Sequence, residues 1–401
     1  SQFTLHSRNE ARFVPIGGRH IAFNGVSGPP NCSDLDRGRR PGRFADQCEL
    51  IRLVQSLDAL QIAGGAPVEA MDLPVPTRHL DTLRAFTTLT DKVFYGRAIG
   101  GARIRDAVSI AAIARGETVE DMKARPGVLS VVNVNSPRRV DGEMANGLMT
   151  MARLGQPTVV TPFTLAGAMS PVTLAGALTQ QNAEALGVIA FSQMVASGSP
   201  IVYGGFTSNV DLRTGAPAFG TPEYALGTIA TGQLARRYRL PYRTSNVNAS
   251  NAVDAQAAYE SMMSLWAALV SGANLIHHAA GWLEGGLVAS YEKMVLDAEM
   301  LQMMGQMMQP ILVDEGTLAM SAQEEVPVGG HFFGTAHTLA RYETAFYSPL
   351  LSDWRNYDTW REAGSQDATT RANRIWKQLL EAYQPPPLAP ERRDALDAYI
   401  A

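Results

Sequence analysis

The chain has 401 residues, 46% of them hydrophobic and 18% charged, with 34 basic against 38 acidic side chains and a net charge of −4. So apolar a composition excludes intrinsic disorder as the main state, and with no basic excess nucleic acid is not expected as a partner. Its 2 cysteines exclude a disulfide framework, and no apolar run is long enough to read as a membrane span. The chain starts at Ser1 without a methionine or a charged-then-apolar signal. A segment is expected to precede it, and the reducing cytoplasm is the default location.

In chain order, residues 13–16 and 20–23 flank Gly17 and Gly18 and predict an N-terminal β-hairpin. Arg37, Arg39, Arg40 and Arg43 read as a solvated loop, and residues 44–57 as a polar helix. Short β-type runs then alternate with helical segments. They fall at 60–63, 93–97, 129–134, 158–161, 201–204, 242–245 and 274–278, several of them entered through a proline such as Pro157, Pro200 or Pro241. That alternation predicts βα units and a parallel sheet. An eighth run near 325–328 would close a (β/α)8 TIM barrel, although spacing alone also admits an open sheet. No G-x-G-x-x-G opens a helix, so a dinucleotide fold lacks its main support. The organisation expected is an N-terminal hairpin and helix over 1–58, the barrel over 59–328, and a helical C-terminal extension over 329–401, all one unit.

Among the helices, Ser170 is expected to cap one starting at Pro171. Residues 223–239 begin with Glu223 and end in Arg236, Arg237 and Arg239, as the helix dipole prefers. Residues 254–271 stop at Gly272. Residues 291–308 carry Met294, Met300, Met303, Met304, Met307 and Met308. Such adaptable side chains suit core packing or else a subunit or partner interface, and a homo-oligomer is expected. Beyond Pro327 come the glycine-bracketed His331, Phe332 and Phe333, an aromatic-rich stretch, and a polar helix over 360–382 expected to wrap the barrel.

Active sites of such barrels form at the C-terminal ends of the strands. The residues at or just past the ends of these runs are Asn133, Phe163, then Tyr203, Phe206 and Asn209, then Asn246, and finally His277, His278 and Trp282. Asn133, Tyr203, Asn209, Asn246, His277 and Trp282 are expected to line one cavity. Tyr95, Phe163, Tyr203, Phe206 and Trp282 put ring faces near strand ends, and ring faces attract cations such as quaternary ammonium groups. Adjacent His277 and His278 would point to opposite faces of a regular strand. With only Cys32, Cys48 and His331 to add, no tetrahedral zinc set emerges, and no metal is expected in this chain. There is no G-x-S-x-G, no P-loop and no lysine at a mid-barrel strand end, so no catalytic nucleophile is assigned.

Longer motifs carry a resemblance. Residues 205–223 (GFTSNVDLRTGAPAFGTPE), 165–176 (LAGAMSPVTLAG), the opening Phe3 to Asn9, and the tail from Gly329 to Asp367 are similar to the trimethylamine methyltransferase family over almost the whole chain. The resemblance implies a (β/α)8 barrel that moves a methyl group from a methylated amine to the cobalt of a corrinoid (cobalamin) carried by a separate small protein. The chain lacks pyrrolysine, which implies the branch acting on quaternary amines such as betaines. A substrate carboxylate would pair with Arg213, Arg243 or His277. The other readings are a barrel lyase or metal-dependent isomerase, which needs a carboxylate and histidine cluster, and a non-catalytic module that binds a corrinoid protein, which would have a sealed barrel mouth.

Overall fold

The computed structural model describes residues 2–401. Its centre is a closed barrel of eight parallel strands. These are β1 (Ala22–Gly25), β2 (Ile62–Gly64), β3 (Val93–Tyr95), β4 (Val128–Val134), β5 (Thr158–Ala166), β6 (Ile201–Gly204), β7 (Tyr242–Ser245) and β8 (Leu275–Ala280). They pair in sequence order, and β8 returns to β1 with Leu275 opposite Ala22. A helix follows each strand: α1 (Phe44–Ser56), α2 (Arg78–Leu89), α3 (Gly101–Arg115), α4 (Gly142–Arg153), α5 (Leu174–Val195), α6 (Pro222–Tyr238), α7 (Ala255–Val270) and α8 (Tyr291–Met307). The (β/α)8 expectation holds. The eighth strand, however, is Ala22–Gly25, at the start of the barrel; residues 325–328 fall at the end of the short helix Met320–Glu325 and beyond it.

The N-terminal hairpin also lies earlier in the chain than residues 13–23. Phe13–Ile16 pairs antiparallel with Phe3–His6, Leu5 opposite Val14. Gly17 and Gly18 do turn the chain, with Gly17 bridged to His20, but Ala22–Gly25 then continues as a parallel strand. A buried, two-sided strand carries no alternation to mark it, whereas a Gly-Gly pair is a strong hairpin signal. Ser170 is likewise not the α5 cap. Thr173 accepts the Gly176 N–H, while Ser170 closes a turn with Gly167.

The barrel interior follows strand parity. Ala22, Ile62, Val93, Leu129, Val159, Val202 and Leu275 form an apolar layer that packs on Leu5, Val14 and Ile16 of the hairpin. The hairpin therefore plugs the end of the barrel where the strands begin. Between sheet and helices lies a larger core. Thr221 caps α6 with Pro222 in its first turn, and Asp254 caps α7. α9 (Ala368–Ala382) lies on α8 and α1, and α10 (Pro390–Ile400) on α2 and α3, so this part of the tail does wrap the barrel. Arg37 and Arg40 are not merely solvated: they pair with Asp34 and Asp46 beside a four-stranded sheet. Among the described residues, no helix is long and apolar enough to cross a membrane.

Candidate active site

At the opposite end of the barrel the strands open into a cavity of about 600 Å³. Side chains from the levels above the apolar plug line it: Tyr95 from β3, Asn133 from β4, Phe163 from β5, Arg243 from β7 and His277 from β8. Phe206 and Trp282 close over it from the segments beyond β6 and β8. Parity explains the choice. Val93 and Tyr95, Leu129, Val131 and Asn133, and Leu275 and His277 are successive inward positions on their strands.

The rings form one continuous wall. Tyr95 stacks on His277 at 5.1 Å and 4°. His277 and His278 are 3.8 Å apart, His278 and Trp282 4.2 Å. Phe206 lies 6.4 Å from Trp282 and 5.1 Å from Phe163. Gly286, at φ +96°, seats the indole; a Cβ there would sit 2.5 Å from its ring.

Both histidines face the cavity, contrary to the expectation of opposite faces. The β8 pairing with β1 slips between Ile276 and Ala280, and His278 has φ +52°, a left-handed conformation uncommon for such a residue. The irregular end is held from outside: Asp297 accepts the Gly281 N–H, Asn246 donates to the Ala279 carbonyl, and Asn248 to the Trp282 carbonyl. Asp297 itself pairs with the buried Lys293.

Protonation states follow from the partners. The Asn24 amide donates to His277 Nδ1 at 2.6 Å, and the Ser27 N–H donates to His278 Nδ1 at 3.2 Å. Each ring is then neutral with its proton on Nε2. Burial holds both pKa values well below the usual range, helped by Arg243 and, for His277, by His278. Neither is an acid at neutral pH.

Arg243 is the electrostatic centre. Its side chain is 3% exposed, and no carboxylate among the described residues pairs with it. Its Cζ stands 5.7 Å from the Phe206 ring, and Nε and Nη1 have no protein partner. Burial pulls its pKa down from the ordinary value. Tyr95 Oη, Thr161 Oγ1, Ser245 Oγ and Trp282 Nε1 also lack protein partners. A lateral lobe reaches Val75, Arg78, His79 and Arg103, with Glu69 paired to Arg97 and Arg78 at its edge.

Of the residues expected to share the cavity, Asn133, His277 and Trp282 do, together with Phe163 and Phe206. Tyr203 does not: Val202 takes the inward position, and the Tyr203 hydroxyl donates to Asn182 on α5 at 2.8 Å. Asn209 is bonded to Thr221 Oγ1, at the α6 cap. Asn246 supports β8 from behind. Arg213 is exposed in a loop closed by Asp211. Closeness to a strand end nominates all four, but it does not tell which way a side chain faces. Asn24 escapes sequence reasoning because its strand reads as a hairpin, and the lobe because it is built from helix starts rather than strand ends. Among the described residues, no three His, Cys, Asp or Glu are grouped to hold a metal.

Comparison with known proteins agrees with this architecture. A family model described as trimethylamine methyltransferase (MTTB) matches residues 1–401. A glycine betaine methyltransferase of Desulfitobacterium hafniense (strain Y51) is 38% identical over 402 residues, covering 100% of this chain and 84% of that protein. A trimethylamine methyltransferase MttB of D. hafniense (strain DSM 10664 / DCB-2) is 29% identical over 395 residues, covering 98% of this chain and 78% of that protein. A crystal structure of MtmB in complex with hydroxylamine superposes with a TM-score of 0.54 at 10% identity, covering 99% of this chain and 78% of that one; at that identity the likeness concerns the fold.

Proposed function

This chain belongs to the trimethylamine methyltransferase family and is a methyltransferase; on that premise we propose that its substrate is a betaine, a quaternary ammonium bearing a carboxylate, and that the methyl group passes to the cobalt of a corrinoid held by a separate protein. The observation that carries the reading is Arg243, a buried guanidinium without a carboxylate partner beside a wall of rings. An uncompensated buried cation costs several kcal/mol. A betaine balances it: the carboxylate meets Arg243, with Tyr95 Oη and His277 Nε2–H as further donors, while the ammonium lies against Phe163, Phe206 and Trp282. Trimethylamine brings no anion to Arg243. The relative named for glycine betaine supports the same reading.

The chemistry asks little acid or base of this chain. A quaternary nitrogen leaves as a neutral tertiary amine and keeps the electrons of the broken C–N bond, so neutral histidines suffice. Arg243 fixes the carboxylate, the rings aim the methyl groups toward the mouth, and their burial excludes water. A cavity of about 600 Å³ accommodates a small amine but not a corrin, so the acceptor would have to meet the methyl at the rim. A docked corrinoid supplies a nucleophilic cobalt(I) and accepts the methyl group. The decisive experiment is methyl transfer to cob(I)alamin across glycine betaine, longer betaines, choline and trimethylamine. Betaines should exceed choline and trimethylamine at least tenfold in kcat/KM; preference for trimethylamine overturns the reading.

A further inference from the structure

The chain between α8 and residue 349 does not cover itself. Residues 309–348 are almost entirely exposed, yet they carry Ile311, Leu312, Val313, Phe333, Tyr342 and Phe346, with Ile311 90%, Phe333 81% and Phe346 85% exposed. This is not the composition of a solvated linker. Nor is the backbone irregular: Asp314 and Thr317 form a capping box, Thr335 caps a helical turn, and His337 bonds the Gly316 carbonyl. Both ends are tied to α8. The arm leaves at Met308, and it returns where Glu299 accepts the Leu350 and Leu351 N–H groups.

A second unpartnered apolar face lies beside the arm's root. On α7, Tyr259, Met263, Trp266 and Val270 recur at helical spacing and are 62%, 44%, 43% and 65% exposed. The end of the neighbouring α8 adds exposed Met303, Met307 and Met308, while Met294, Met300 and Met304 are core. The methionine-rich helix is thus half core and half open surface.

We propose that this arm clasps a second copy of the chain, the arm of each protomer lying on the α7 stripe of the other. Three observations select this occupant. The arm's large apolar side chains expose on the order of 1,000 Å², more than a monomer normally shows and enough for one side of a stable dimer interface. The stripe and the arm belong to the same chain, so a twofold axis satisfies both at once. Finally, α8 runs antiparallel to β8, so the arm leaves from the plugged end of the barrel, away from the mouth a methyl acceptor must reach.

The test uses the full chain and two surface variants, F333D/F346D on the arm and W266D/V270D on α7. All four positions are exposed, and thermal unfolding confirms that the fold survives. Sedimentation velocity should show a dimer for the unaltered chain at micromolar concentration and at least a hundredfold weaker association for each variant. An equimolar mixture of the two variants should recover heterodimer, because one arm–stripe contact of the pair is intact. A monomeric unaltered chain, a dimer indifferent to either variant, a mixture that stays monomeric, or association only with a corrinoid protein each overturns the proposal.

Discussion

The two ends of the barrel are built from the same strands and differ in what they leave unsatisfied. At the plugged end Leu5, Val14 and Ile16 meet Ala22, Ile62, Val93 and Leu275, all buried and all apolar. Nothing there lacks a partner because nothing there needs one. One layer up, the same strands present Tyr95, Arg243 and His277, and several polar atoms have no protein partner. Native proteins rarely bury polar groups without compensation. Their concentration at one end, around one guanidinium, marks where a ligand completes the structure, while the other end supplies the stability that tolerates this.

Substitutions can break that contrast. The largest functional effect should come from Arg243→Met: kcat/KM for betaines should fall by about 10²- to 10³-fold, the loss expected for a buried charge-assisted contact. Thermal stability should stay level or rise, since an unpaired buried cation is removed. A large fall in Tm with unchanged kinetics would make Arg243 structural. Leu5→Ala should do the reverse, lowering unfolding free energy by about 2–5 kcal/mol in denaturant titration with KM unchanged. A shift in KM would mean that the two ends are coupled.

Phe206→Leu should cost a smaller factor, about 3- to 30-fold in betaine binding, because one cation–ring contact is lost. Binding of the isostere 3,3-dimethylbutanoate, which keeps the carboxylate but has an uncharged tert-butyl group in place of the ammonium, should change little. Equal losses for both ligands would assign Phe206 to packing alone.

The smallest effect is the pH dependence. His277 and His278 have folded pKa values below the ordinary range, so below pH ~6.5 the unfolded chain takes up protons that the native sites refuse. Their contribution to stability is complete above that pH and declines as the pH falls through it, by at most about 1.4 kcal/mol per pH unit per histidine. Urea unfolding between pH ~6.5 and ~5 should show this slope, and His278→Gln should reduce it. Over about pH 6.5 to 8.5 kcat should stay flat; a rise on protonation would mean that a histidine works as an acid.

Much of this molecule is legible in one dimension. Seven of the eight barrel strands announce themselves as β-type runs between helical segments, and the long motifs around Gly205 and Gly329 carry the family. Local rules decide such things: side-chain periodicity, proline, glycine and caps act over a few residues. The eighth strand escapes because burial on both sides removes alternation, and Ala22–Gly25 takes its place only through β2 and β8. The site divides the same way. Phe163, Phe206 and Trp282 can be nominated from strand ends, and Arg243 only as one of three partners for a substrate carboxylate, but Tyr203 and Asn246 show that nearness to an end does not set direction. Only the tertiary structure turns both histidines inward, because the slip at His278 depends on Asn246, Asn248 and Asp297, distant in sequence, holding the end of β8. Only the closed barrel leaves Arg243 unpaired, since the lack of a partner is a property of every surrounding strand at once.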